Sequence, residues 1–286
     1  MEISAGTVKQ LREKTGVGMM QCKSALIEAQ GDLGEAEKIL RKKGLAAAAG
    51  KAGRATGEGT IAAQVASDSR SGVLVEVNCE TDFAARNADF QELVSQVVAL
   101  AADKGVETKG SSPDPAAVEA LAGAGVSNLL AAAVAKIGEN MQLRRFVKFV
   151  AGEQGGIVGS YIHTGGKIGV LLEASIPSGK TGGAEALLRD VSMHIAAAAP
   201  RFVRREDVSE EVLAYEREIA RDQALKAGKP AQVVEKIVQG RIEKYFSEIC
   251  LLEQPFVKDP DKTVRQVLGE GLTIRRFARF VLGDGA

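Results

Sequence analysis

Gly72-Val73-Leu74-Val75-Glu76 recurs ninety-seven positions later as Gly169-Val170-Leu171-Leu172-Glu173. Without any gap, the same offset carries Gly59 onto Gly156, Val94 onto Val191, Val98 onto Ile195, and Ala101-Ala102 onto Ala198-Ala199. The quoted run is short, apolar and β-branched, which marks a strand. The residues after it recur at helical spacing. One strand-and-helix unit is therefore present twice, and the fold class is α+β with two related subdomains. What a shared fold needs must occur in both copies. A stretch found in one copy alone is a candidate for function.

One stretch fits that description: Cys79-Glu80-Thr81-Asp82-Phe83-Ala84-Ala85-Arg86-Asn87. Its counterpart, residues 176–183, is a turn of Pro, Ser, Gly and Lys. Thr81 can cap a short helix, Asp82 suits the first turn of that helix, and Phe83 can be core. That accounts for the residue types but not for their absence from the copy, which favours a working tip.

Around the strands, residues 61–65 and 73–77 form a hairpin, and Asp89 with Glu92 is read as a capping box for a helix through Ala102. A further helix ends at Lys136-Ile137-Gly138, and residues 145–150 form a strand with Phe146 and Phe149. In the second unit Arg275-Arg276-Phe277-Ala278-Arg279-Phe280-Val281 matches Arg144-Arg145-Phe146-Val147-Lys148-Phe149-Val150 at an offset of 131, so this half carries 34 additional residues. They are read as an antiparallel helical hairpin, one helix along Val208, Val212, Tyr215 and Ile219, the other along Val234, Ile237, Val238, Ile242, Tyr245 and Ile249. Exposed Tyr and Phe there would suggest a docking surface.

Before the repeats, residues 1–44 read as three short helices capped by Ser4 and Asp32, with Val8, Leu11, Ala36, Ile39 and Leu40 inward. Residues 45–59, almost wholly Ala, Gly, Lys and Arg, read as a tether. The organisation expected is a three-helix unit 1–44, linker 45–59, first subdomain 60–152, and second subdomain 153–286 with a hairpin at 205–250.

Composition narrows the function. The 37 basic and 37 acidic residues balance and there is no Trp, which argues against a general nucleic-acid binder. Cys22, Cys79 and Cys250 are scattered and form no CxxC, so neither a disulfide framework nor a zinc site is expected. The start carries no basic n-region, and no apolar run is read as approaching the roughly 20 residues that span a bilayer. A soluble cytoplasmic protein without a cofactor is expected. His163 and His194 lie at no metal-ligand spacing. The run from Ala174 to Gly179-Lys180-Thr181 fits a relaxed phosphate-loop pattern, but Pro177 removes a donor and Gly182-Gly183 occupy the first helical turn such a loop needs. A nucleotide-binding enzyme is thus disfavoured, and a polar turn is the better reading.

Six segments resemble one family, that of translation elongation factor Ts, the exchange factors for elongation factor Tu. They are Leu11-Arg12-x-x-Thr15-Gly16-x-Gly18-Met19-Met20-x-Cys22-Lys23, Glu76-Val77-Asn78-Cys79-x-Thr81-Asp82-Phe83, Lys136-Ile137-Gly138-Glu139-Asn140, Gly159-Ser160-Tyr161-x-His163, His194-Ile195-Ala196-Ala197 and Gln254-Pro255-Phe256. The resemblance implies an N-terminal unit like a ubiquitin-associated domain, a core of two related subdomains with antiparallel sheets, and an inserted helical hairpin. It implies elongation factor Tu with GDP and magnesium as partner. Thr81, Asp82, Phe83 and Ala84 would disturb the partner's magnesium site. Arg12, Met19, Met20, Ile137, Gly138 and His163 would make docking contacts. One of Met19 and Met20 is expected in the small unit's own core, and His194 is expected to be structural. Family members commonly have Val where this chain has Ala84. Many continue into a C-terminal helical module, whose contact is expected to be missing after Gly285-Ala286. A non-catalytic binding module of the ubiquitin-associated type is the alternative, and self-association through the hairpin stays open.

Overall fold

The computed structural model describes residues 3–152, 155–176 and 183–284. The duplicated strands sit at the centre. β1 (Glu58–Val65), β2 (Ser71–Cys79) and β3 (Met141–Val150) form one antiparallel sheet in the order β1-β2-β3. β4 (Gly156–Ile162), β5 (Ile168–Ser175) and β8 (Thr273–Val281) form the second in the order β4-β5-β8. A small ladder, β6 (Pro255–Phe256) with β7 (Asp259–Thr263), lies apart from both.

β2 is buried from Gly72 to Cys79 and β5 from Gly169 to Ala174, because each sheet is covered on both faces. With side chains alternating along the strand, Val73, Val75 and Val77 meet Phe90, Val94, Val97 and Ala101 of α5 (Ala88–Lys104). In the second half Val170, Leu172 and Ala174 meet Leu188, Val191 and Ile195 of α8 (Ala184–Ala198). The other faces meet each other through Ile61, Leu74, Val147, Phe149 and their copies Val158, Leu171, Ala278, Phe280.

This contact is reciprocal, as at a two-fold interface between identical chains. A Cβ on Gly72 would lie 3.1 Å from Leu171 Cδ1, and one on Gly169 would lie 2.8 Å from Leu74 Cδ1. The paired glycines are where the sheets approach too closely for a side chain. Ile61 N–H donates to Gly166 O at 2.8 Å, and its copy Val158 donates to Ser69 O at 2.7 Å. Both sheets bulge at the same point, after Glu76 and after Glu173.

The N-terminal unit comprises α1 (Ala5–Thr15), α2 (Met19–Glu28) and α3 (Leu33–Lys51), with Val8, Leu11, Cys22, Leu26, Ala36 and Leu40 buried together. Ser4 accepts from Thr7 N–H at 3.1 Å and Asp32 from Glu35 N–H at 2.7 Å, as caps should. The stretch read as a tether is helical as far as Lys51. Gly44, where the three-helix unit was expected to end, lies inside α3. A Cβ there would come within 3.2 Å of Ala131 O, so it is the close contact between α3 and α7 (Ser127–Ile137).

The cap of α5 is Asn87, which accepts from Asp89 N–H at 2.8 Å, rather than Asp89, which pairs with Lys136 at 2.5 Å. α6 (Pro115–Leu121) starts behind Asp114. The stretch Pro115–Ile137 is, by length and composition, apolar enough to cross a membrane, contrary to the sequence reading, because alanine fills it. It is kinked at Gly125, φ 141°, and it packs Leu121, Val126, Ala133 and Val134 into the first half's core.

In the second half α9 (Glu210–Lys226) and α10 (Ala231–Ile249) form the hairpin. Their seam is Leu213, Ala220 and Ala224 against Val234, Val238, Ile242 and Phe246. The expected stripe on α9 is rotated: Tyr215 faces outward. Small alanines let the helices close, and the bulkier residues flank them. Arg205 holds the base of the hairpin to Glu253 and Glu243, with its guanidinium 4.6 Å from the centroid of Phe246.

Candidate functional site

Thr81 starts α4 (Asp82–Ala85), a single turn after β2, by accepting from Ala84 N–H through Oγ1 at 3.2 Å. Ala84 and Ala85 are buried under it. Phe83 points the other way and is 83% exposed. A fully apolar ring held out by a helix whose alanines face the core is not a packing residue. Asp82 pairs with Arg86 at 3.1 Å, with both side chains well exposed.

A second segment holds this turn from the side. Glu139 Oε1 accepts from Thr81 Oγ1 at 2.6 Å and Oε2 from Thr81 N–H at 3.0 Å. Glu80 Oε1 accepts from Asn140 N–H at 2.5 Å and from Arg54 at 3.3 Å. Each acid thus binds the backbone N–H of the residue that follows the other, continuing the β2–β3 pairing beyond Cys79 and Met141. The hydrogen bond from Asn140, helped by the charge of Arg54 and opposed by desolvation, lowers the Glu80 carboxyl below its ordinary value. Asn140 Nδ2 donates to Arg54 O at 2.8 Å, which ties in the connection from α3. Beneath, the buried Cys79 thiol donates to Thr81 O at 3.2 Å. Desolvation, with the Glu139 charge second, pushes that thiol up to about 12, so it is no nucleophile.

Ile137 and Gly138 adjoin this clamp. Ile137 is half-buried against the first core, and Gly138 ends α7 at φ 89° with its carbonyl accepting from Lys51 Nζ at 2.7 Å. Asp82, Arg86 and Gln91 line an open cleft of about 690 Å³ with Thr60 of β1 and with Gly166 and Lys167 of the β4–β5 turn. His163 occupies that turn, exposed, with Nδ1 3.1 Å from the Tyr161 hydroxyl.

Arg12, Met19 and Met20 sit on the N-terminal unit, at a different place from the tip. Met19 is 53% and Met20 75% exposed, so neither is core, contrary to expectation. Gly16-Val17-Gly18 turns the chain so that α2 begins with both methionines on its outer side. Met20 lines a cavity of about 270 Å³ with Val17, Leu40, Gly44 and Ala135, at the junction with α7.

His194 is buried and structural. Val257 N–H, which can only donate, gives its hydrogen to Nδ1 at 3.2 Å, so Nε2 carries the proton to Gln254 Oε1 at 2.9 Å. Two of the sequence motifs meet in that contact. Residues 177–182, which hold the counterpart of the tip and the phosphate-loop pattern, lie outside the described residues. Among the described residues, no group of three or more His, Cys, Asp or Glu is placed to hold a metal.

The clamp residues Glu80 and Glu139 went unrecognised in the sequence, since they lie 58 to 60 positions from their partners. Their only signals were that Glu139 stands in a motif segment and Glu80 in the stretch that has no copy.

Comparison with known proteins places the whole chain in one family. The family model described as Elongation factor TS matches residues 80–284. Curated proteins named Elongation factor Ts are 50% identical in Trichlorobacter lovleyi, 47% in Syntrophotalea carbinolica and 46% in Alkalilimnicola ehrlichii; each alignment covers 100% of this chain and 94% of the relative. With that identity across its full length, the chain belongs to the elongation factor Ts family of translation elongation factors.

Proposed function

We propose that this chain accelerates release of GDP from elongation factor Tu, and that the Asp82–Phe83 tip is the part that acts on the nucleotide site. The observation that carries the reading is Phe83: an exposed aromatic on a clamped single turn, in one half of a duplicated fold. The ring enters the partner's GTPase domain and displaces a helix, while Asp82 engages groups that the shift exposes. Magnesium demands near-ideal octahedral geometry from few protein ligands, so a small displacement loosens it. No bond is made or broken by the factor.

Energetics require more than the tip. Shifting an equilibrium from 1:99 to 99:1 takes roughly 5.5 kcal/mol of differential affinity, and burying one Phe contributes about 1.5–3 kcal/mol. The remainder comes from contacts made better to the nucleotide-free form than to the GDP-bound form, to which Arg12, Met19 and Met20 on the N-terminal unit and Ile137, Gly138 and His163 on the core contribute. By linkage, bound GDP weakens the factor by the same ratio that the factor weakens GDP.

The test is release of labelled GDP from elongation factor Tu with substoichiometric amounts of this chain. Acceleration with turnover supports exchange. Retention on elongation factor Tu without acceleration identifies a docking module of the ubiquitin-associated type. Nucleotide bound by this chain alone revives the phosphate-loop reading.

A further inference from the structure

We propose that Glu139 is a positioning residue for the exchange step, one that holds the Phe83 ring in its acting pose without touching the partner's nucleotide site. This rests on the exchange reading above. A four-residue helix does not persist without outside support, because nucleation costs more than one turn of hydrogen bonds returns. α4 is such a helix, and its cap is Thr81 Oγ1. That hydroxyl accepts from Ala84 N–H while donating to Glu139 Oε1 at 2.6 Å, and Glu139 Oε2 takes the Thr81 N–H at 3.0 Å. One carboxylate therefore fixes both the backbone and the rotamer of the capping residue. The chain of bonds runs from Glu139 through the Thr81 hydroxyl to the amide after Phe83, each polarising the next.

The reciprocal bond, Glu80 Oε1 to Asn140 N–H at 2.5 Å, anchors Glu139 from its own side. Glu139 is thereby held on the corner between α7 and β3, which is part of the first half's core. A tip ordered in advance costs nothing to order when it enters the partner, and a loose tip deducts that cost from the entering step alone. Docking by the rest of the surface does not pass through Thr81. Loss of Glu139 should therefore lower the maximal rate of GDP release and weaken binding to nucleotide-free elongation factor Tu, the form that the tip has entered. The half-saturating concentration, which reports docking on the GDP-bound form, should stay nearly unchanged.

The experiment uses the full chain with E139A, E139Q and F83A, and elongation factor Tu loaded with labelled GDP. For each variant, the maximal release rate, the half-saturating concentration and the affinity for nucleotide-free elongation factor Tu are measured. Amide exchange at residues 81–85 and thermal unfolding are followed in parallel. Removing two hydrogen bonds to a carboxylate should lower the maximal rate by roughly tenfold or more. E139Q keeps one acceptor and should recover part of the rate. Amides 81–85 should exchange faster in E139A while those of β2 keep their protection. Should F83A slow release while E139A leaves the maximal rate intact, the positioning role is wrong and the exchange reading stands. If E139A raises the half-saturating concentration by as much as it lowers the maximal rate, or unprotects the whole sheet, Glu139 is merely structural and the proposal falls. An F83A without effect on release would overturn the exchange reading itself, and the positioning role with it, even if amide exchange at the tip still depends on Glu139.

Discussion

Arg145 places its guanidinium carbon 4.4 Å from the ring centroid of Phe280 in the other half of the molecule. Its copy Arg276 lies at the same 4.4 Å over Phe149. Each arginine also pairs with the buried acid of its own sheet, Arg145 with Glu76 at 2.7 Å and Arg276 with Glu173 at 2.6 Å. The two halves are thus joined by two equivalent stacks built on equivalent ion pairs, outside the glycine contacts of Gly72 and Gly169. The sheet bearing the tip is rigidly backed by the second sheet.

Replacing Arg145 by Ala leaves Glu76, which is fully buried, without its cation. A buried ion pair broken on one side costs roughly 3–5 kcal/mol, and chemical denaturation should show a loss in that range. Replacing both residues, Arg145→Met with Glu76→Leu, should recover much of it. A single-variant loss below about 1 kcal/mol would mean that water reaches Glu76.

Phe83→Ala should leave stability within about 0.5 kcal/mol of the parent, since the ring is exposed. Release of GDP should fall by roughly 10- to 100-fold, the equivalent of one buried ring. Thermal unfolding and stopped-flow release measure the two effects separately. A large drop in melting temperature would place Phe83 in the core after all.

His194 supplies a pH dependence. Desolvation lowers its pKa below the ordinary imidazole value, against the weaker raising effect of the Gln254 hydrogen bond. The unfolded chain therefore binds the proton first as pH falls. The stability contributed by neutral His194 is fully present above about 6.5, the unfolded value, and is lost as pH drops below that towards the folded pKa. The slope is at most about 1.4 kcal/mol per pH unit. Urea midpoints at pH 7.5 and 5.5 should differ more in the parent than in His194→Gln. Equal differences would show that His194 titrates freely.

The three cysteines should resist thiol reagents in the native state. Cys22, Cys79 and Cys250 are all buried. Cys79 is pushed up to about 12 and Cys250, chiefly by desolvation, to about 11, so thiolate is scarce at pH 8 as well as inaccessible. A chromogenic disulfide should report essentially no reactive thiol until denaturant is added, then all three. Rapid native labelling of Cys79 would contradict the packing under the tip.

Several features were readable because they are local or repeated. Gly72 and Gly169 were found by their spacing alone, and Ser4 and Asp32 cap where their residue types suggest. Phe83 stood out because its copy offers nothing similar. Misreadings arose where one residue type serves two physical ends. Gly44 looked like the end of the three-helix unit and is a close contact with Ala131 inside α3. Asp89 looked like a cap and is the partner of Lys136. On α9 Tyr215 looked like part of the seam but faces outward; Leu213, Ala220 and Ala224 form the seam, with the expected Val208 buried in the same cluster and Val212 packed against it.

Duplication, the first-half hairpin and the position of the odd segment are properties of residue order and periodicity, so they could be read along the chain. The meeting of Glu139 with Thr81, of Arg145 with Phe280 and of His194 with Gln254 depends on which surfaces face each other after folding. Those partners are 58, 135 and 60 residues apart. No local pattern encodes such a separation: burial selects which elements meet, and these contacts form only once β2 has paired with β3, the two sheets have stacked, and α8 has packed against the segment before β6.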